Sequence, residues 1–311
     1  MSGNLQGLGR KIAGAGDLEG VVRSMKALAA SSIGQYEKAT QSLDDYYRTV
    51  ELGLAACLRE ESLAPFAKDK KATVNAIGAV VFGSDQGLVG GFNEILMEFA
   101  LNVLRKLPGK TKKIWAVGER IQSLITDIDP SHVAVLSVPI SVTGITPLVG
   151  QILIEIEAAR EQGKVEEVYV FHNQPKSGAI YEPVCKQLLP LDRTWESSFA
   201  RLPWPAKNLP QVIGGNESTL QALIREYLFV LLFQACAESL ASENACRLAA
   251  MQRAEKNIEE ILEDLNGKFH RIRQESIDEE LFDVISGYEA LSKKKSTVSS
   301  DRSIDTGTRR T

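Results

Sequence analysis

Apolar and small residues recur every three or four positions at Leu8, Ile12, Ala15, Val22, Met25, Ala29, Tyr36, Ala39, Leu43, Tyr46, Val50 and Leu54. That spacing predicts one helix of coiled-coil type running to about residue 58. Its opening is weak, because Gly3, Gly7, Gly9, Gly14, Gly16 and Gly20 each cost roughly 1 kcal/mol relative to Ala inside a helix, so partner packing is needed to hold the first turns. A second stripe starts at Leu220, Leu223, Tyr227 and Leu231 and continues through Leu248, Met251, Ile258, Ile261, Leu265, Phe269 and Ile272 to Leu281, Val284, Tyr288 and Leu291. Asn216 or Ser218 can cap it, with Glu217 in the first turn. As one helix, residues 217–291 would extend about 110 Å at 1.5 Å per residue, so it must be sheathed by another helix, by partner proteins or by both.

Between these arms the period changes. Residues 72–82, 113–117, 132–138 and 165–171 are short β-branched runs, and helical patterns occupy 92–106, 119–125 and 147–162. Such alternation predicts an α/β layer with a mostly parallel sheet. Residues 173–191 are compatible with a last strand or a helix ahead of a Pro-rich link at 202–210. The prolines agree with this division, since none precedes Pro65 or follows Pro210; a proline costs roughly 3 kcal/mol in a helix interior. The expected organisation is a helical arm over 1–64, an α/β domain over 65–210, a second arm over 211–291, and a disordered tail over 292–311. That tail carries Lys293, Lys294, Lys295, Arg302, Arg309 and Arg310 against Asp301 and Asp305.

Charge and chemistry narrow the function. A net charge of -4 and a pI near 5.6 exclude the broad basic footprint of a non-specific nucleic-acid binder. Cys57, Cys185, Cys236 and Cys246 form no CxxC pair, and His132, His172 and His270 fall in separate elements, so neither a zinc site nor a disulfide framework is expected. The N-terminus lacks the apolar core of a signal peptide. Residues 130–154 contain no charged side chain, but their three prolines, three serines and two threonines predict a buried strand, turn and helix over a membrane span.

A glycine-rich loop at 83–93 sits between a strand and a helix, a position compatible with a phosphate cradle or with a tight turn set by left-handed glycines. Its spacing matches neither GxGxxG nor the nucleophile elbow, which favours the turn. Gly109, Lys110 and Thr111 imitate the end of a P-loop, but Leu104 stands where that motif needs glycine. Glu259, Glu260, Glu263, Asp264, Asp278, Glu279 and Glu280 read as the solvated face of the C-terminal helix. Spacing and composition therefore describe an architecture with no catalytic, cofactor or metal residues, closer to an interaction or mechanical protein than to an enzyme.

Five segments carry a resemblance. SENACRLAAM at 242–251, RQESIDEEL at 273–281 and ISG at 285–287 closely resemble the C-terminal helix of the gamma subunit of F-type ATP synthases. SDQGLVGGFN at 84–93 is similar to that family's SDRGLCGGLN, with Gln86 for Arg and Val89 for Cys, and MKALAAS at 25–31 is similar to AMKMVAAS. The likeness covers residues 1 to about 291. It implies an α/β fold plus a long antiparallel α-helical coiled coil formed by the N- and C-terminal helices. It also implies a non-catalytic rotor that passes through a ring of alpha and beta subunits and contacts the epsilon subunit and the c-subunit ring. The rotor would lie peripherally on the cytoplasmic face of a bacterial or archaeal membrane, with no transmembrane segment and no cofactor. Arg247 and Gln274 match residues that engage a loop of beta, although spacing alone reads both as solvated surface. Met25 matches another shaft position and by spacing is coiled-coil core; Arg23 and Lys26 are further candidates for facing an acidic lever of beta. The readings that compete with rotation are a nucleotide-binding α/β enzyme using the glycine loop and a non-rotary coiled-coil scaffold.

Overall fold

A computed structural model of the chain describes residues 2–60, 76–108, 111–126, 133–176, 179–191, 193–208, 210–212 and 216–301. In chain order the elements are α1 (Ser2–Glu60), β1 (Ala76–Phe82), α2 (Phe92–Lys106), β2 (Thr111–Val117), α3 (Glu119–Thr126), β3 (Val133–Leu136), α4 (Val142–Glu161), β4 (Glu167–Lys176), β5 (Ala179–Leu189), α5 (Arg193–Ala200) and α6 (Asn216–Asp301). The chain divides into two compact units. One joins Met1–Ser24 with Arg253–Thr311, and the other is Met25–Gln252.

The larger unit is built on a five-stranded sheet in the order β3-β2-β1-β4-β5. β1 pairs parallel with β2 and β4, and β2 with β3, whereas β5 returns antiparallel on β4. Helical crossovers permit the parallel pairs, and the short β4–β5 connection permits the antiparallel one. Alternation along β1 separates two cores. Ile77, Ala79 and Val81 face α2 and α3 through Leu96, Ala100, Leu104, Ile121 and Ile125. Val80 and Phe82 belong to a core shared with α4, α1 and α6, through Ile145, Val149, Ile152, Leu54, Leu232 and Ala237. The stretch without charges thus becomes β3, a turn and α4, with residues 130–132 outside the described part. By length and composition α4 and part of α6 could cross a membrane, but α4 buries Ile145, Val149 and Ile152 against the sheet.

In this unit α1 and α6 run antiparallel, since α6 numbers fall as α1 numbers rise. The Tyr46 hydroxyl donates to Glu226 Oε2 at 2.6 Å, the Tyr47 and Tyr227 rings stack at 5.9 Å, and a Cβ on Gly53 would lie 3.0 Å from Leu223. Glycine at 53 is thus a point of close helix approach. The smaller unit pairs the start of α1 with the later part of α6, where Arg23 Nε lies 3.8 Å from Glu255 Oε1.

Of the two alternatives for residues 173–191, the structure has strand: β4 runs on to Lys176, and β5 over Ala179–Leu189 pairs back along it, Val184 opposite His172 and Cys185 opposite Phe171. Two expectations change. α5, which no apolar period announced, is anchored by Trp195 and Phe199 packing on Tyr227 at 5.3 and 5.5 Å. The expected disordered tail from 292 is helical as far as Asp301, since neither proline nor glycine interrupts residues 288–301; residues 302–311 lie outside the described part.

Candidate functional site

The glycine loop follows β1 directly. The Gly83 amide donates to the Val117 carbonyl at 2.8 Å, and a Cβ at Gly83 would come within 1.8 Å of Ile121, so glycine there lets α3 pack close. The Ser84 amide donates to Asn93 Oδ1 at 3.0 Å, Asn93 Nδ2 donates to Ser84 Oγ at 2.9 Å, and Ser84 Oγ donates to the Gln86 carbonyl at 2.9 Å. Asp85 ties two further segments to the loop, accepting from the Glu119 amide at the start of α3 at 3.0 Å and from the Val138 amide at 3.1 Å. Gly90 turns left-handed at φ 62°, as does Leu88 at 63°. The Gly83 and Ser84 amides, the Ser84 hydroxyl and the Asp85 carboxylate are all engaged within the fold, which is the geometry of a turn that fastens neighbouring segments.

The loop and strand ends then dock on α6. Ser239 Oγ donates to the Phe82 carbonyl at 3.0 Å and Ser242 Oγ to the Asn173 carbonyl at 3.1 Å, while Asn173 Nδ2 donates to the Phe92 carbonyl at 3.1 Å. Val89 and Phe92 pack with Cys246, and Tyr181 meets Phe92 edge-on at 5.6 Å. His172, fully buried on β4, places Nε2 2.8 Å from Glu238 Oε2, and Gln234 Nε2 donates to Glu238 Oε1 at 2.7 Å. Two segments remote in sequence, 84–93 and 242–251, are therefore one junction. Sequence reasoning missed Ser239, Ser242 and Glu238 as its fasteners. Their signal was polar side chains recurring at helical spacing inside an otherwise apolar run of α6.

Arg247 departs from the solvated reading. Its side chain is only 14% exposed; Nη2 donates to Glu243 Oε1 at 2.6 Å and Nη1 to Asn244 Oδ1 at 3.3 Å. Burial pushes the Glu243 carboxyl upward in pKa against the pull of Arg247. Gln274 is exposed on α6 and belongs to the other unit. Met25 and Lys26 are half-buried on α1, and Arg23 is exposed, holding Glu19 at 2.5 Å. Arg23 and Gln274 thus share the smaller unit, and Met25, Lys26 and Arg247 the larger.

Among the described residues no group of His, Cys, Asp and Glu is arranged to hold a metal. His270 is exposed beside Phe269, His132 and the mimic residues Gly109 and Lys110 lie outside the described part, and Glu259, Glu260, Glu263, Asp264, Asp278, Glu279 and Glu280 are all exposed. Cys57, Cys236 and Cys246 are buried thiols, and burial pushes the Cys185 thiol to about 11.

The family model described as ATP synthase matches residues 4–291. The chain is 26% identical over 287 residues to an ATP synthase gamma chain of Polynucleobacter asymbioticus, covering 87% of this chain and 93% of that one. It is likewise 26% identical over 288 residues to the gamma chain of Dechloromonas aromatica, with the same coverage. Its fold is similar to a chain in the OSCP, F1 and c-ring assembly of Euglena gracilis mitochondrial ATP synthase, with TM-score 0.64, 14% identity, and coverage of 100% of this chain and 99% of that one. It is also similar to a chain of the Tetrahymena thermophila mitochondrial central stalk and c-ring, with TM-score 0.54, 20% identity, and coverage of 75% and 99%. A match over nearly the whole chain, containing both the glycine loop and the α6 segment on which it docks, places this protein in the ATP synthase family, among the gamma chains.

Proposed function

We propose that this chain is the central-stalk rotor of a bacterial ATP synthase, coupling ion flow through a membrane ring to conformational cycling of a ring of alpha and beta subunits. The observation that carries the reading is the match of the gamma-chain family across both terminal helices and the α/β domain between them. Its partners are the alpha and beta subunits, the epsilon subunit and the c-subunit ring. The chain is a peripheral protein on the cytoplasmic face of the membrane, and nucleotide chemistry belongs to its partners.

Rotation couples to chemistry through asymmetry. A shaft with unlike faces inside a threefold ring meets each beta subunit differently and biases each site towards a different conformation. It can shift a site only through a difference in contact energy between conformations, so specific polar contacts on an otherwise sliding surface carry the signal. Arg247 and Gln274 supply such contacts to beta, Arg23 and Lys26 face an acidic segment of it, and Met25 serves at the shaft's packing face.

Co-expression with the alpha and beta subunits tests the assignment. The expected product is a complex with one copy of this chain for three of each partner and with ATPase activity dependent on it. A chain that copurifies with neither subunit is a scaffold or an enzyme of another kind, and the rotor reading fails.

A further inference from the structure

Glu243 and Arg247 sit one helical turn apart on α6, the spacing at which ordinary surface ion pairs form. Lys268 and Asp264, at the same spacing, are 55% and 60% exposed. Glu243 and Arg247 are 7% and 14% exposed. Groups on two other elements lie near the pair. Tyr36 of α1 lies close enough for both charges to act on its hydroxyl, and Asp85 of the glycine loop is near enough to repel the Glu243 carboxylate. The pair is buried, and long side chains that would wander on an open helix are held by their hydrogen bonds.

The bonding is one-sided. A carboxylate and a guanidinium can meet through two parallel hydrogen bonds, yet here only Nη2 reaches Oε1. Glu243 Oε2 and Arg247 Nε are buried and have no hydrogen-bond partner among the described residues. Nη1 reaches Asn244 Oδ1 at a long 3.3 Å, and the Asn244 amide is oriented for this because its Nδ2 donates to the Leu240 carbonyl at 2.8 Å. The guanidinium is therefore held closely at Nη2 and loosely at Nη1, while further N–H donors remain for another acceptor.

We propose that Glu243 is a positioning residue for the rotor–stator contact: its carboxylate tethers Arg247 against α6 so that the guanidinium meets an acceptor-rich segment of the beta subunit already oriented. This rests on the reading of Arg247 as a contact to beta. Two consequences follow for a contact that forms and breaks in every turn. Ordering of a flexible arginine is completed within the folded subunit and not at each encounter. Competition between Glu243 and the partner's acceptors for the same guanidinium also keeps the contact releasable.

The test is a double-mutant cycle in the assembled alpha–beta–gamma complex, with subunit stoichiometry checked for every variant. Arg247→Ala alone should lower kcat for ATP hydrolysis. Glu243→Gln should lower kcat roughly threefold to tenfold at unchanged KM, and this loss should vanish when combined with Arg247→Ala. An equal fractional loss in both backgrounds means that Glu243 acts on its own account in the fold, and no loss beside native Arg247 means that it does not position the contact; either overturns the inference while leaving the rotor contact intact. Unchanged kcat in Arg247→Ala removes the contact itself, and the inference with it. Should Glu243→Gln fail to assemble, Glu243→Asp, which keeps the charge but shortens the reach, enters the same cycle and is judged by the same coupling.

Discussion

His172 is buried on β4, hydrogen-bonded to Glu238 of α6 and near the Lys186 charge. Burial lowers its pKa from the ordinary 6.5, outweighing the pull of Glu238 in the other direction. Burial alone would raise Glu238, but hydrogen bonds from His172 and Gln234 and the Lys186 charge hold it below the ordinary carboxylate value. The pair at neutral pH is therefore a neutral imidazole donating to a carboxylate. A histidine with a lowered folded pKa leaves stability untouched above its unfolded value. As pH falls below 6.5, the unfolded chain takes a proton that the folded chain resists, so the melting temperature should fall through this window. In His172→Gln that slope should flatten; a melting profile with the same slope in both proteins would exclude His172 as its source. A motif scan finds only a lone histidine here, because its partner lies 66 residues away on another element.

At the scale of elements, local periodicity carried most of the information. The apolar spacing anticipated α1 and α6, and the β-branched runs anticipated β1 to β4 in a mostly parallel sheet. It did not anticipate α5, because Trp195 and Phe199 gain helical order only by packing on Tyr227 of α6, which also stacks on Tyr47 of α1. Tyr227 therefore joins three elements through one ring. Tyr227→Ala should destabilise the larger unit by about 3–5 kcal/mol, the usual cost of removing a buried aromatic ring. Thermal unfolding followed by near-UV circular dichroism measures this, with the far-UV signal of α1 and α6 less affected because their helical backbone bonds are local. The direction of β5 was equally illegible, since alternation within residues 179–189 is the same whichever way the strand pairs.

At the scale of the whole molecule, the later part of α6 has apolar side chains without cover. Ile277, Leu281, Val284 and Tyr288 follow one stripe at 54%, 57%, 70% and 74% exposure. A helix with so little buried surface opens easily, so amides over residues 277–289 should exchange rapidly in the isolated chain and become protected in the alpha–beta complex. Hydrogen exchange by mass spectrometry checks this, and equal rates in the two states would mean that the ring does not enclose the segment. On the role proposed for Arg247 and Gln274, Arg247→Ala combined with Gln274→Ala should leave that protection and the assembly intact while lowering ATPase turnover, since contacts of that kind would bias conformations without holding the complex together. Unchanged turnover and torque would remove both residues from the coupling.

The sequence by itself determined the two long helices, the α/β layer between them and the family, because helical and strand periods are written in neighbouring residues and the family's segments are contiguous strings. Only the tertiary structure decided that the glycine loop is a docking turn, that it docks on α6, and that Arg247 is tethered and not solvated. The docking of the loop depends on contacts between residues far apart in the chain: Ser239 reaches Phe82 across 157 positions, Ser242 reaches Asn173 across 69, and Asn173 reaches Phe92 across 81. Burial, and the hydrogen bonds that burial makes obligatory, exist only once those segments have met.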